Sequence, residues 1–324
     1  MTPGRAAVVT FALLVGGVAL APAVAPHDPG RQFTDYPFAP PMGVHVRDAS
    51  GRWHAPFAYA LQMADPLERR YAEDRGTRLP AWSRAAPVFI LGTDGLGRDV
   101  LSRVLGGARL SLGVAVGSTL LALLIGALVG GAAGYLGGAA DEILMRLTDL
   151  VLVLPAIYVV LTLRGALPLV LSTPEIFLAL VIVMGLVGWP AAARGVRAIV
   201  RVERTQEYAE AARALGATRA RVLVRHLLPA ARGFLIVQGT LLVPAFVMAE
   251  ATLSFVGLGF APPAPSWGAM LQDAASPQAT ADAPWLLAPA AAIVATVFVI
   301  QVVTGVPGSR TRRKNDVTDL LSET

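Results

Sequence analysis

Residues 110–140 contain no Asp, Glu, Lys or Arg. A helix needs about 20 apolar residues to cross a bilayer, so a run of this length is read as a membrane span. It carries Gly113, Gly117, Gly126, Gly130 and Gly134. Small residues four apart let two membrane helices bring their backbones together, which predicts a central packing helix and not one facing lipid all round. Further apolar runs occupy residues 6–26, 143–163, 176–193, 234–258 and 285–306. The expected fold is therefore an all-α polytopic membrane protein with six transmembrane helices. Composition agrees, because 55% hydrophobic and 15% charged residues in 324, with mean hydropathy +0.59, leave too few polar residues to cover a soluble domain.

The arginines set the topology. Short loops rich in Arg stay in the cytoplasm, which places residues 194–232 and the tail 308–324, with Arg310, Arg312, Arg313 and Lys314, inside. The Pro-rich loop 261–284 lacks Lys and Arg and is placed outside. Both termini are then cytoplasmic. Residues 1–26 form the N-terminal tail and span one, although Ala23, Val24 and Ala25 also suit a cleaved signal peptide. Either reading puts the long polar segment 27–105 outside, as a docking site or as a cover over the mouth. Residues 106–307 form the core, spans two to six. Thr93 or Asp94 is the expected cap of span two, with ion pairs among Asp94, Arg98, Asp99 and Arg103. Pro155 is placed to kink span three, and Pro190 lies near the inner end of span four. Asp149, inside span three, is either a functional ionisable group or the partner of Arg146.

Several chemistries are excluded. There is no cysteine, so neither a disulfide nor a thiolate site can form. His27, His45, His54 and His226 lack close ligand spacing, so no metal site is expected. Lys314 is the only lysine, and a phosphate-binding loop needs one directly after its glycines. The net charge of +5 resides in arginines at the ends of apolar runs, which suits a lipid bilayer and not nucleic acid. No catalytic residues are expected.

The arginine-rich interruption contains a helix-turn-helix pattern. Residues 207–215 are alanine-rich and free of Gly and Pro, Gly216 supplies a left-handed stop, and residues 217–225 start a second helix that Pro229 breaks. Such a hairpin is a stiff knob able to pass a push from a soluble partner into the spans, or else an ordinary basic loop.

Glu210-Ala211-Ala212, then Gly216 and Leu228-Pro229, resembles the EAA loop of membrane subunits of bacterial ABC importers. Residues 225–229, RHLLP, are similar to the variant in the dipeptide, oligopeptide and nickel permease family. Residues 91–103, LGTDGLGRDVLSR, and 251–271, ATLSFVGLGFAPPAPSWGAML, resemble two further signatures of that family. The resemblance implies a six-helix permease fold of the type I importer kind in the bacterial inner membrane. It also implies a second permease subunit, two cytoplasmic ATPase subunits that use ATP and Mg, and an external solute-binding protein. This chain would bind no cofactor itself and would pass a peptide, or a related solute such as a nickel chelate. The coupling surface it implies comprises Glu207, Tyr208, Glu210, Ala211, Ala212, Gly216, His226 and Pro229. Glu210 would serve as polar contact, the alanines as close-packing surface and Gly216 as the turn. Glu250 and Ser254 become candidates for the pathway, with helix packing as the other role for Glu250. Residues 301–313 and Ala230 depart from the family pattern. A self-sufficient secondary transporter or channel is the alternative, but it would want internal repeats or acids at mid-membrane, and the acids here sit near span ends.

Overall fold

The computed structural model describes Gly16 and residues 24–48, 50–65, 69–168, 171–275 and 281–305. Most of span one, with its signal-peptide alternative, and the basic tail 308–324 lie outside the described residues.

Helix α1 (Val100–Leu136) is the axis of the molecule. It starts at Asp99, whose carboxylate accepts the Ser102 N–H at 3.1 Å, so Asp99 and not Thr93 or Asp94 is the cap. Arg103 and Arg109 end the uncharged run but do not end the helix, which is why the helix begins ten residues before residue 110. Leu120, Leu124 and Leu128 form an exposed stripe on it, the face left for lipid. The glycines lie elsewhere. A Cβ on Gly113 or Gly117 would touch Phe177 or Val181, and a Cβ on Gly126 or Gly130 would overlap Ala192 or the Ala193 carbonyl.

Those partners belong to α4 (Thr173–Gly188) and α5 (Pro190–Glu203), which meet at a 49° bend. Before them come α2 (Gly138–Val153) and α3 (Ala156–Gly165), bent by 86° at Leu154 and Pro155. The stretch read as span three is therefore two helices with a break at Pro155 and not one kinked helix. Pro155 has no N–H to continue the ladder, and it holds Leu154 extended at φ −74°, ψ 127°. Then follow α6 (Glu207–Ala214), α7 (Arg219–Val222), α8 (Arg232–Phe255), α9 (Trp267–Asp273), and α10 (Ala288–Gly305), which is entered through a 3₁₀ turn at Pro284–Leu287. A central cluster joins α1, α4, α8 and α10 through residues such as Ala122, Leu180, Phe246 and Ile293. The described residues contain three helices long and apolar enough to cross a membrane, Val100–Leu136, Arg219–Phe255 and Pro284–Val302, or up to five if each bent pair is one span.

Ahead of α1 the chain builds a three-stranded antiparallel sheet, β1 (His45–Arg47), β2 (Trp53–Asp65) and β3 (Arg70–Pro80). Its core is Ala39, Met42, Ala58, Leu61, Val88 and Phe89. The β1–β2 turn is tied by Asp48, which accepts from the Ser50 hydroxyl, the Arg52 N–H and His54; those hydrogen bonds, the Ser50 hydroxyl first, hold its carboxyl well below the usual range. The sheet is fastened to the helices through the 91–103 signature. Gly92 and Gly97 take left-handed φ values of 71° and 70°, and a Cβ on Gly97 would lie 2.0 Å from the Phe33 carbonyl oxygen. Asp94 accepts the N–H groups of Leu96 and Arg98 and pairs with the side chains of Arg98 and Arg103.

Asp99 does not join that group. It receives His27 Nδ1 at 3.2 Å and the Ser102 hydroxyl at 2.5 Å, all inside the fold, while His27 Nε2 faces the Ala86 carbonyl at 2.9 Å. Both ring nitrogens thus meet oxygen atoms, so His27 bridges the cap of α1 to the Ala86 carbonyl. Asp99→Asn keeps a capping oxygen and loses the charge. We expect a loss of about 1–2 kcal/mol, read as a lower melting midpoint of the detergent-solubilised chain.

Candidate functional site

The hairpin at the end of α5 is built as a rigid piece. Helix α5 passes through the turn Arg204–Thr205–Gln206, where the Thr205 hydroxyl donates to the Val202 carbonyl at 2.8 Å, into α6. Glu207 and Glu210 lie in the first turn of α6 and Arg213 in the last, the order that its dipole favours. The helix closes with a complete Schellman motif: Gly216 N–H bonds Arg213 O and Ala217 N–H bonds Ala212 O, both at 3.0 Å, with Gly216 at φ 82°. Thr218 then caps α7, its hydroxyl accepting the Arg221 N–H.

The hairpin has its own core. Ala209, Val222, Leu227 and Ala231 pack with Val196 and Val200 of α5, and all are buried. The alanine packed inside the hairpin is Ala209, which the sequence reading did not single out. Ala212 is half-buried on the same cluster, whereas Ala211 faces outward with Glu207, Glu210 and Gly216. Tyr208 is 43% exposed, and its hydroxyl donates to Glu203 at 2.6 Å. Partial burial and that carboxylate push the phenol up to about 12, so it stays a donor at physiological pH. Leu215, at the tip, is 88% exposed.

Pro229 does not break the second arm. The chain runs from α7 through a π-helical turn, Leu223–Leu227, and a 3₁₀ turn, Leu228–Ala231, directly into α8. The wider turn accommodates the missing N–H and the ring of Pro229 without ending the helix. The hairpin is thus continuous with the 37-residue helical stretch Arg219–Phe255, and His226 sits half-buried in the π turn. A push on the tip has a stiff route into a span.

The other end of the hairpin is anchored by charge. Arg197 grips Asp141 with two nitrogens, Nη2 at 2.6 Å, and Arg194 holds Asp149 at 2.6 Å, so α5 is tied to α2. Asp149 therefore pairs with a residue 45 positions away and not with Arg146, which pairs with Glu142. Arg204 donates to the Tyr135 carbonyl at 3.1 Å, closing the end of α1. Between that end and the hairpin lies an open cleft of about 630 Å³, lined by Tyr135, Arg204, Glu210, Arg213, Ala217 and Arg219 among others.

Glu250 and Ser254 lie far from the hairpin along α8. Glu250 is fully buried. The Ser254 hydroxyl donates to its Oε1 at 2.6 Å, and Ser111 and Ser266 lie near the same carboxyl. Sequence reasoning missed Ser111 and Ser266, because serines on separate elements carry no local signal. It also missed Arg164 of α3, which is 1% exposed and donates to the Pro168 carbonyl at 3.3 Å.

Residues 122–312 match the model of a family described as binding-protein-dependent transport system inner membrane component. The chain is 40% identical over 239 residues to the oligopeptide transport system permease protein OppC of Bacillus subtilis strain 168, covering 74% of this chain and 76% of the relative. It is 43% identical over 182 residues to the dipeptide transport system permease protein DppC of the same strain, covering 56% and 55%. To the di/tripeptide permease protein DppC of Pseudomonas aeruginosa strain UCBPP-PA14 it is 35% identical over 266 residues, covering 82% and 73%. With more than half its length matched by that model, and with a relative 40% identical over 74% of the chain, the chain belongs to the family of binding-protein-dependent transport system inner membrane components.

Proposed function

We propose that this chain is the permease subunit through which a short peptide crosses the inner membrane, driven by ATP hydrolysed on separate subunits. The carrying observation is the hairpin: a self-cored knob, exposed at Glu210, Ala211, Leu215 and Gly216 and continuous with a membrane-length helix. A carrier working alone has no need of a lever whose tip is exposed and whose base is fixed. The relatives named for peptide transport support the solute class.

In this reading two permease subunits, this one and a related one, enclose the pathway, with six spans each and both ends of this chain inside. Two ATPase subunits grip the hairpins through Glu207, Tyr208, Glu210 and Ala211, and bind the ATP and Mg themselves. Their closure turns the spans outward to accept solute from an external binding protein. The sheet built by β1, β2 and β3 lies on the outer side, together with the loop after α8.

A pull-down of the tagged chain from mild detergent tests this. We expect an ATPase and a second permease among the bound proteins, both lost when the hairpin is deleted. Recovery of this chain alone, moving peptide in liposomes without ATP, would overturn the reading in favour of a self-sufficient carrier.

A further inference from the structure

Helix α1 ends where two chemically different surfaces meet. Leu120, Leu124, Leu128 and Leu136 are each more than half exposed, and half-buried Ala132 completes the series. Residues four apart form a ridge inclined to the helix axis, so these side chains make a continuous apolar track toward the C-terminus of α1. The track ends at Leu136, which lines the open cleft beside the hairpin. Asp141 is the first charged residue to follow it in the chain. The cleft therefore lies at the depth where hydrocarbon gives way to headgroups.

The cleft is basic. Arg204, Arg213 and Arg219 line it against one acid, Glu210, which faces Arg213 at 3.8 Å. Two of the arginines are fixed in place. Arg204 lies across the end of α1, donating from Nη1 to the Tyr135 carbonyl at 3.1 Å, and a Cβ on Gly137 would lie 2.9 Å from that nitrogen. Arg213 in turn donates to the Arg204 carbonyl at 3.1 Å. A guanidinium carries five N–H donors in a planar fork, so both keep donors for a further acceptor. Arg219, exposed on α7, completes the basic wall.

From this we infer that the cleft is a binding site for one anionic phospholipid of the adjoining leaflet, its phosphate held by Arg204, Arg213 and Arg219 and one acyl chain laid along the leucine ridge. Charge and shape agree on this occupant. Arginine forks match phosphate oxygens two at a time, and the excess of cations favours a headgroup of net negative charge over a zwitterionic one. A soluble phosphate compound would have no use for the ridge. Bound there, the lipid joins the end of α1 to both arms of the hairpin, because Arg204 follows α5, Arg213 lies in α6 and Arg219 in α7.

That this leaflet is the cytoplasmic one rests on the proposed reading of the chain as an importer subunit. Lipid choice is measured without transport or partner proteins, so its failure and the failure of that reading are distinguishable.

The chain has no cysteine, so a single thiol can carry a reporter. Leu128→Cys lies on the ridge, about 12 Å from Leu136 along the helix, and Phe298→Cys, exposed on α10, is the control. Each full-length variant is labelled with bimane in phosphatidylcholine nanodiscs and titrated with phosphatidylglycerol or phosphatidylcholine that carries a nitroxide on one acyl chain. At Leu128→Cys, half-quenching should need roughly 20-fold less phosphatidylglycerol than phosphatidylcholine, the effect of two uncompensated arginines, and Phe298→Cys should show no such preference. In the Leu128→Cys background, Arg219→Gln should lower the preference roughly fivefold. Arg225→Gln, exposed in the same hairpin but outside the cleft, should leave it unchanged. Arg219 is exposed, so its variant folds even where an Arg204 variant, which unties Tyr135, does not. Equal quenching by the two lipids at Leu128→Cys would overturn the inference, and so would an equal loss in Arg225→Gln, which would mean diffuse surface charge. Quenching by neither lipid would show the ridge covered by another protein chain and would overturn it too. Inorganic phosphate, exchanged for chloride at constant ionic strength, should not displace the nitroxide lipid; displacement would give the cleft to a soluble phosphate compound instead.

Discussion

Gly130→Ala should remove most of the folded protein from the membrane, while Gly233→Ala should leave it unchanged or slightly more stable. Both replace a helical glycine with the smallest side chain, and intrinsic propensity favours alanine at each by about 1 kcal/mol. The surroundings decide the sign. A Cβ on Gly130 would lie 2.2 Å from the Ala193 carbonyl oxygen and 2.9 Å from Ala193 Cα, so it meets the backbone of α5 and no movable side-chain end. A Cβ on Gly233 meets nothing within 4 Å. Relief at Gly130 requires the two helices to separate, and Gly126 and Gly134 lie on the same crossing against Ala192 and Arg197. Overpacking of this kind costs about 1–3 kcal/mol or more. Membrane helices lack the hydrophobic drive that would offset it, because lipid is as apolar as the partner helix. The measurement is the fraction of chain that survives detergent extraction as a single folded species. Wild-type recovery of Gly130→Ala would show that the α1–α5 crossing is not what holds the fold.

That crossing was legible in the sequence, and the reasons show what else could be read. Glycines four apart predict close approach whatever the partner, and the partner turned out to be α4 on one half of α1 and α5 on the other. The Gly216 turn was equally plain, since a glycine after an alanine-rich helix has few other uses. Contacts set by tertiary position were not legible. Asp149 has Arg146 within one turn, yet it pairs with Arg194 because α5 returns alongside α2. Local spacing offers a partner, and the fold chooses another. Pro229 was read as a stop, because a proline in a helix removes a hydrogen bond; the π turn before it was invisible in composition. The sheet carried a faint signal. Phe57, Tyr59, Leu61 and Met63 alternate along β2, but the pairing with β3 shifts register between Tyr59 and Ala60, so Ala58 and Leu61 share one core and the period of two is broken. Glu250 stood out as an acid in an apolar run, but its serines come from α1, α8 and the loop before α9, and only the folded chain brings them together.

Gly216→Val should leave insertion and folding intact while reducing uptake at least tenfold, with ATP hydrolysis by the assembled transporter continuing. Gly216 sits at φ 82° with open space where a Cβ would be, so the substitution causes no clash. Its cost is the left-handed backbone, about 1–2 kcal/mol for an L-residue and worse for a β-branched one. The chain avoids that cost by giving up the turn. The bonds from Gly216 to Arg213 and from Ala217 to Ala212 are then lost, and the tip carrying Glu210, Ala211 and Leu215 changes direction. Beneath it, Ala209 and Val222 remain packed on Val196 and Val200, so the spans still assemble. A lever with a displaced tip transmits nothing, while the ATPase still turns over. Substitutions that differ in left-handed preference should therefore rank in one order. Gly216→Asn, which tolerates that conformation, should keep most of the uptake, Gly216→Ala less and Gly216→Val least. Uptake and ATP hydrolysis measured on the same proteoliposomes give the ratio that matters. If that ratio is the same for Asn and Val, the turn does not carry the stroke, and coupling must pass through the base of the hairpin at Tyr208 and Glu203 instead.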